Sequence, residues 1–112
     1  MRGAGVLRER VAFDVAVETP DGSGGMERTW SEVAERAAEF RYERGREAVQ
    51  AGGLTGSAVF KVCVRSDEVT RGLTTAHRMR DVRRGVSYNL REVDAITDRA
   101  WVWLGVENGV AL

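Results

Sequence analysis

Short runs in which apolar and polar residues alternate, separated by glycine-rich or polar turns, limit most strongly what this chain can fold into. In the clearest run, VAFDVAV at residues 11–17, every second residue is large and apolar: Val11, Phe13, Val15 and Val17. Side chains that alternate with period two point to opposite faces of an extended chain. The run therefore predicts a half-buried β-strand, with Asp14 on its polar face.

A glycine-rich stretch, TPDGSGG at residues 19–25, follows that strand. Asp21-Gly22 is a turn dipeptide, because glycine adopts positive φ at no steric cost. The extended pattern resumes from Met26 to Trp30, which predicts a β-hairpin with an irregular, mobile tip. The stretch lacks the Gly-Lys-Ser/Thr of a phosphate-binding loop and the spaced acidic ligands of a calcium loop. The predicted tip consists of Asp21, Gly22, Ser23, Gly24 and Gly25.

Two segments in the middle of the chain fit more than one template. Residues 31–43 have high helix propensity, yet an extended chain would give them a mainly apolar face interrupted by Glu32 and Arg36. That face consists of Trp30, Ala34, Ala38, Phe40 and Tyr42. Residues 45–56 are predicted to form a short helix or a loop.

The second half of the chain returns to strand patterns. Residues 58–64 alternate, and residues 77–93 predict a hairpin that turns at Arg84-Gly85 and has a bulge after Leu90. Residues 100–106 are apolar on both faces, as in a central or an interface strand. We therefore expect a mainly β fold: a small barrel or sandwich of about six antiparallel strands with one short helix and long loops. The length predicts a single domain over residues 1–112.

The composition argues against several classes of function. The net charge is zero, so there is no overall field to attract nucleic acid or an anionic membrane. No apolar stretch approaches the ~20 residues that span a bilayer, and no secretory signal is evident. Cys63 and His77 are the only residues of their types, and neither lies in a catalytic motif or completes a zinc site without carboxylates. We expect no enzyme activity, no metal and no other cofactor.

Arginine and tryptophan are the candidates for contact with partners. Of the 17 basic residues only Lys61 is a lysine, and arginine suits interfaces with carboxylates or phosphates. The arginines at 78–84 either bind such groups of a partner or keep a strand edge charged and solvated, which prevents pairing with strands of other chains. The alternative use of Trp30, Trp101 and Trp103 is to stack on single-stranded nucleic acid. The predicted interface consists of Arg78, Arg80, Arg83, Arg84, Trp101 and Trp103.

Six short motifs occur in a characteristic order between residues 7 and 104. They are LRERV at 7–11, DGxG at 21–24, WxxVA at 30–34, GxE at 45–47, VxVR at 62–65 and GxxYxL at 85–90. In this order the chain resembles the head–tail joining proteins, also called head-closure or stopper proteins, of long-tailed bacteriophages and their gene transfer agent relatives. The resemblance implies that residues 31–43 form a long strand of a small β-barrel.

The resemblance also implies a structural part of a particle that is assembled in the bacterial cytoplasm. Copies are expected to form a six- or twelve-fold ring, with the adaptor and portal above and the tail terminator and tail tube below. DNA would pass through the channel without sequence recognition. The alternatives are the tail terminator or the adaptor of the same particle, the latter expected to be mainly helical, or a barrel that binds single-stranded nucleic acid.

Two segments receive roles from this resemblance. The hairpin tip at residues 21–25 would become ordered against a neighbouring ring. The connection at about residues 43–57 would project toward the channel and gate it. The gating residues are expected to be Glu43, Arg44, Gly45, Arg46, Glu47, Gln50, Gly52, Gly53 and Gly56.

Overall fold

The chain folds almost entirely as β-strands. The structure, a computed structural model, describes residues 7–45, 49–50, 53–54 and 58–108, and within these ranges the helical residues are the 3₁₀ turn Thr70–Gly72. The strands are β1 (Glu9–Pro20), β2 (Met26–Gly45), β3 (Val49–Gln50), β4 (Gly53–Leu54), β5 (Ala58–Arg65), β6 (His77–Asp81), β7 (Val86–Asp94) and β8 (Trp101–Glu107).

Six of these strands close into a ring in the order β1-β2-β5-β8-β7-β6. Every neighbouring pair is antiparallel. The two remaining strands, β3 and β4, pair only with each other. The prediction of a mainly β fold with six antiparallel strands is confirmed.

The core fills the inside of the closed sheet. Because side chains alternate between the two faces of each strand, closing the sheet directs one apolar set from every strand toward a common interior. The buried cluster consists of Val11, Phe13, Ala38, Val62, Val64, Leu73, Met79, Tyr88, Leu90, Val102, Leu104 and Val106. Apart from Leu73, which lies in the loop before β6, all these residues belong to the six barrel strands.

Strand β2 contains the segment whose sequence also fits a helix. It runs without a break from Met26 to Gly45, so tertiary pairing overrides the local helix propensity. Its register with β1 shifts between Phe13, which faces Ala34, and Asp14, which faces Glu32. One extra residue in β2 therefore reverses which face the later residues occupy.

This bulge corrects one sequence-based expectation. Phe13 and its partner Ala34 lie on the core side, whereas Trp30 pairs with Ala16 on the outer side of the barrel. Trp30 and Ala34 therefore do not share a face, and that prediction is wrong. The physical reason is that Val33 is unpaired in the bulge, where its side chain is exposed. Nothing in the sequence around Val33 indicates this change of phase.

The other local predictions concern the turn and the bulge at residues 77–93 and the possible helix at residues 45–56. The β6–β7 turn ends at Gly85, whose φ is +72°, and β7 shifts register against β8 between Leu90 and Glu92, as predicted. The helical alternative for residues 45–56 is wrong for the described residues, because β3 and β4 form a small antiparallel hairpin there. The sequence places Gly52-Gly53 inside this segment, and glycine disfavours a helix interior.

The two ends of the barrel differ. β6 pairs with β1 only at residues 11–15 and β5 pairs with β2 only at 38–45, so residues 16–30 continue beyond the barrel as a two-stranded ribbon. We call this the ribbon end. The opposite end, where β2 finishes and β5 and β7 begin, is called the mouth end.

Replacing Phe13 with alanine tests the assignment of the core. Phe13 is fully buried inside the barrel, so Phe13→Ala should lower the free energy of unfolding by roughly 3–5 kcal/mol in urea denaturation. Val17→Ala is the matched control, because Val17 follows on the same strand but lies on the partly exposed ribbon. We expect less than about 1 kcal/mol for Val17→Ala. Equal losses would contradict the assignment.

Candidate functional site

A carboxylate is buried on the outer wall of the barrel. Asp14 lies on the outer face of β1 and is only 2% exposed, because two arginines from the adjacent β6 cover it. The Nε atoms of Arg78 and Arg80 each donate to Asp14 Oδ2 at 2.7 Å, and Arg80 Nη2 donates to Oδ1 at 3.0 Å. The Arg80 contact is thus bidentate, the strongest form of this pair.

The same network continues onto β2. Arg80 Nη2 donates to Glu32 Oε1 at 2.7 Å. The Arg78 guanidinium carbon lies 4.4 Å from the centroid of the Trp30 ring, and that of Arg28 lies 5.3 Å from it, both within cation–π range. Asp14, Trp30, Glu32, Arg78 and Arg80 form what we call the arginine wall.

Electrostatics favours the ionised form of this cluster. Burial alone would raise the pKa of Asp14, but the hydrogen bonds and charges of Arg80 and Arg78 outweigh it and hold the pKa below its usual value. The pKa of Arg80 is correspondingly raised, chiefly by its hydrogen bond to Asp14. Much of the hydrogen-bonding capacity of Arg80 is therefore used within the chain.

The two other predicted interface arginines lie elsewhere, in the β6–β7 turn at the mouth end. Arg84 Nη1 is 2.7 Å from Asp81 Oδ2 and 2.9 Å from Glu9 Oε1. The Arg83 side chain is exposed, while its backbone N–H donates to Asp81 Oδ1 at 3.1 Å. Asp81 thereby organises the turn.

Trp101 and Trp103 occupy the outer face of β8. Their neighbours Val102 and Leu104 belong to the core cluster, so the tryptophans point the other way. The Arg65 guanidinium carbon lies 5.0 Å from the Trp101 ring centroid, and that of Arg41 lies 5.5 Å from the Trp103 ring. Trp101 is only 7% exposed, whereas Trp103 is half-buried, so Trp103 offers more of its ring to a partner.

The predicted interface residues do not form one surface. In the closed sheet β8 has β5 and β7 as neighbours, whereas Arg78 and Arg80 lie on β6 between β1 and β7. Trp30 belongs to the arginine wall and is separated from the Trp101 and Trp103 pair. The three tryptophans therefore do not form a continuous stacking platform, and each has an arginine over its ring.

The hairpin tip has a defined conformation organised by Asp21. Its Oδ1 accepts hydrogen bonds from the backbone N–H groups of Ser23, at 2.7 Å, and Gly25, at 3.1 Å. Gly22 and Gly24 have φ of +84° and +89°, which explains glycine at both positions. Every tip residue is exposed at the ribbon end. The predicted mobility of the tip stays a prediction.

The predicted gating connection begins and ends at the mouth end. Gly45 pairs with Ala58, which closes its base, and the Asn108 side chain accepts from the Ala58 N–H at 2.9 Å. Gln50 pairs with Gly53 in the β3–β4 hairpin. The backbone of Glu43, Arg44 and Gly45 ends β2, whereas Arg46, Glu47, Gly52 and Gly56 lie outside the described residues.

An aromatic cleft opens beside the base of this connection, and sequence reasoning did not identify it. Phe40, Phe60 and Tyr88 meet edge to face, with centroid separations of 5.5–6.1 Å. Together with Glu9, Asp81 and Arg84 they line a cleft of about 260 Å³ that we call the aromatic mouth. Burial raises the pKa of Tyr88, and the Asp81 charge raises it further. No sequence signal marked it, because closure of the sheet brings together rings from β2, β5 and β7.

The structure separates Cys63 and His77, the two residues considered for catalysis. Cys63 is buried on β5 and His77 lies on β6, and these strands are not neighbours in the sheet. His77 Nδ1 accepts a hydrogen bond from the Thr74 N–H at 3.2 Å. Within the part of the chain that the structure describes, no group of three or more His, Cys, Asp or Glu residues could hold a metal ion. No helix in these residues has the length and apolarity to cross a membrane.

Replacing Asp14 with asparagine tests the arginine wall. Asp14→Asn should lower the free energy of unfolding by roughly 2–3 kcal/mol near neutral pH, because it leaves two arginines without their shared carboxylate. Because its pKa is lowered in the folded state, the ionised carboxylate stabilises the fold fully above its unfolded pKa of about 3.9. This stabilisation is lost as the pH falls through the folded pKa.

Chemical denaturation between neutral pH and about pH 2 measures both effects. The wild type should lose stability more steeply than Asp14→Asn at the acidic end. Glu18→Gln, at an exposed position on the ribbon, is the control and should change stability by less than about 0.5 kcal/mol. Parallel acid profiles for the wild type and Asp14→Asn would show that the buried carboxylate does not act in this way.

Comparisons with known proteins place the chain in a family. The sequence profile of a family described as phage head completion protein matches residues 2–107. A chain from the virion of a native gene transfer agent particle is 23% identical, with a TM-score of 0.67 over 94% of this chain and 96% of that one. Protein SF1141 from Shigella flexneri 2a is 16% identical, with a TM-score of 0.70 over 99% and 100% of the two chains.

These two structural similarities show a shared fold. A comparison with curated protein sequences gave no significant match. The family profile, in contrast, spans nearly the whole sequence and every strand of the barrel. The chain therefore belongs to the phage head completion protein family.

Proposed function

We propose that this chain acts as the stopper of its particle, as a refinement of the structural head-completion role of its family. In this proposal, copies form a ring beneath the portal and adaptor. The ring closes the DNA channel after filling and presents a docking surface for the tail. The ring number, six or twelve, and the identity of each partner belong to the proposal.

One observation supports this role most directly: the two predicted contact segments leave opposite ends of a closed barrel. The tip at residues 21–25 lies at the ribbon end, while the connection between Gly45 and Ala58 lies at the mouth end. A rigid barrel with one contact segment at each end is suited to a place between two other layers of an assembly. The connection gates the channel, and the tip contacts the neighbouring ring.

The proposed role requires no catalytic or substrate-binding site on the barrel. The arginine wall binds its own carboxylates, so it serves the fold rather than a substrate. A net charge of zero suits a channel component that DNA must pass without sticking. We propose that the protein is not an enzyme and contacts DNA without reading its sequence.

The mainly β fold does not favour the adaptor, which we expect to be mainly helical. The separation of Trp30 from Trp101 and Trp103 removes the continuous stacking surface that a single-stranded nucleic-acid-binding barrel needs. The geometry therefore favours a head-completion component at the stopper position over the adaptor and over a nucleic-acid-binding barrel.

Deleting the gene tests the role. The portal and packaging motor act before this ring in the proposed order, so heads should still fill. Retention of DNA and attachment of tails should fail. The measurements are nuclease sensitivity of the packaged DNA in purified particles and tail attachment by electron microscopy. Tailed, nuclease-resistant particles made without this protein would refute the proposal.

A second variant separates gating from simple spacing. Replacing residues 50–55 with a Gly-Ser linker should spare the barrel, because the segment lies between β2 and β5 and outside the six strands that close the barrel. If the segment gates the channel, the particles should contain the protein but leak DNA. Replacing residues 21–25 with a Gly-Ser linker of their own length is the control, expected to impair contact between rings rather than gating. Infectious or transducing particles that resist nuclease would leave the protein as a passive spacer.

A further inference from the structure

We propose that a pocket on the outer face of the β1–β2 ribbon binds the carboxylate of an aspartate or glutamate side chain from a neighbouring protein of the particle. The pocket has a volume of about 230 Å³ and lies where the ribbon leaves the barrel, beside the arginine wall. We call it the cationic pocket. This contact rests on the proposed function, for which it supplies the chemistry of one contact with the next layer.

The side chains around the cationic pocket are rich in hydrogen-bond donors. They include two arginines, a histidine, an asparagine and a threonine, and among the described residues no aspartate or glutamate lines the pocket. A site with converging donors and no negative charge of its own is complementary to an anion. The lining residues that the contact uses are Arg28, Trp30, Thr75, His77, Arg78 and Asn89.

Arg78 has donors that the arginine wall leaves free. Its Nε donates to Asp14 at 2.7 Å, whereas its two Nη groups donate to no other residue in the described part of the chain. The guanidinium carbon lies 4.4 Å from the centroid of the Trp30 ring, and the side chain is 19% exposed. Asp14 and the ring therefore fix the guanidinium group, while its remaining N–H groups can bind a carboxylate.

Arg28 adds a charge that the chain does not neutralise. Its guanidinium carbon lies 5.3 Å from the centroid of the same ring, and no carboxylate of a described residue forms an ion pair with it. This includes Glu18, the residue opposite Arg28 on β1. In the arginine wall, by contrast, two arginines are matched by two carboxylates. Arg28 therefore gives the pocket a surplus positive charge.

Three neutral side chains complete the pocket. His77 Nδ1 accepts a hydrogen bond from the Thr74 N–H at 3.2 Å, so the neutral imidazole carries its proton on Nε2. The Asn89 amide and the Thr75 hydroxyl also line the pocket, and neither donates to another described residue. An ionised carboxylate has about four lone-pair sites, so it can accept from several of these donors at once.

The surroundings favour a single carboxylate over the DNA backbone. A protein that binds DNA neutralises a row of phosphates with several lysines or arginines. Within residues 16–32, however, Arg28 is the only basic residue, against the four acidic residues Glu18, Asp21, Glu27 and Glu32. These carboxylates repel a continuous polyanion more strongly than one acidic side chain that enters beside Trp30.

The pocket is within reach of a protein that contacts the hairpin tip. Trp30 follows the tip by five residues on β2, which corresponds to roughly 15 Å of extended chain. A protein surface packed against the tip is therefore close enough to place a carboxylate in the pocket. A charge contact at a defined site fixes the orientation of the two partners.

Two matched peptides test the pocket on the purified protein. Acetylated and amidated Gly-Glu-Gly should cause saturable NMR shifts of the Trp30 indole N–H at low ionic strength, whereas Gly-Gln-Gly should not. The indole signals of Trp101 and Trp103 are internal controls, because an arginine also lies over each of these rings. Both control signals should stay unchanged.

Replacing Arg28 with glutamine should weaken binding of Gly-Glu-Gly roughly tenfold, because it removes a hydrogen bond between two charged groups. The thermal melt should be almost unchanged, because Arg28 is exposed. Arg65→Gln is the matched control: it also removes an exposed arginine that lies over a tryptophan, and it should leave binding unchanged.

Several results would overturn the proposal. No shift of the Trp30 signal, or equal shifts with both peptides, would show that the pocket does not select a carboxylate. Equal losses of binding in Arg28→Gln and Arg65→Gln would show a general effect of charge. Shifts of Trp30 with duplex DNA that exceed those with Gly-Glu-Gly and vanish in Arg28→Gln would assign the pocket to the phosphate backbone instead.

Particles separate this contact from the stopper role. Arg28→Glu should impair joining to the neighbouring layer, and second-site substitutions that restore joining should replace an acidic residue of another virion protein with lysine or arginine. Normal Arg28→Glu particles alongside DNA loss on gene deletion would reject the contact but keep the stopper role. An unaffected deletion would reject the stopper role, while the peptide titration would still decide whether the pocket binds a carboxylate.

Discussion

Closure of the six-stranded sheet decides which side chains are buried and which face solvent. A closed sheet has no unpaired edges within the barrel, and it requires each strand to contribute alternate side chains to one interior. The interior accepts the apolar set and leaves the polar set outside. The outer surface therefore consists largely of charged side chains on adjacent strands, which must be paired or solvated. Strands that extend beyond the closed ring, as β1 and β2 do, become the ribbon.

The arginine wall follows from this constraint. Between Arg10 and Glu18, the outer face of β1 carries only the short side chains of Ala12, Asp14 and Ala16, which lie between the longer side chains of β2 and β6. Arg78 and Arg80 can therefore lie across β1 and enclose Asp14, so a carboxylate is buried on the outside of the barrel. The ion pairs join β6 to β1 and β2 by side chains as well as by backbone hydrogen bonds.

Local chemistry explains which features could be predicted from the sequence. The β6–β7 turn and the bulge after Leu90 were evident because glycine and a change of alternation mark them within a few residues. The bulge at Val33 has no such mark, and Asp14 is separated from Arg78 by 64 positions. The aromatic mouth is similarly a product of closure, because Phe40, Phe60 and Tyr88 come from three strands. Strand identity for residues 31–43 depended on the family resemblance, since helix propensity pointed the other way.

The antiparallel topology also separates stability from assembly. Each hairpin reverses the chain, so the β1–β2 tip and the β7–β8 turn emerge at one end of the barrel, while the β2–β5 connection and the β6–β7 turn emerge at the other. The residues between these ends form the buried core and hold the fold together. The exposed residues at the ends, Ile96 and the tip glycines among them, contribute little to that core. Substitutions at either end can therefore change the surface offered to other virion proteins without altering the barrel, as the proposed stopper role requires.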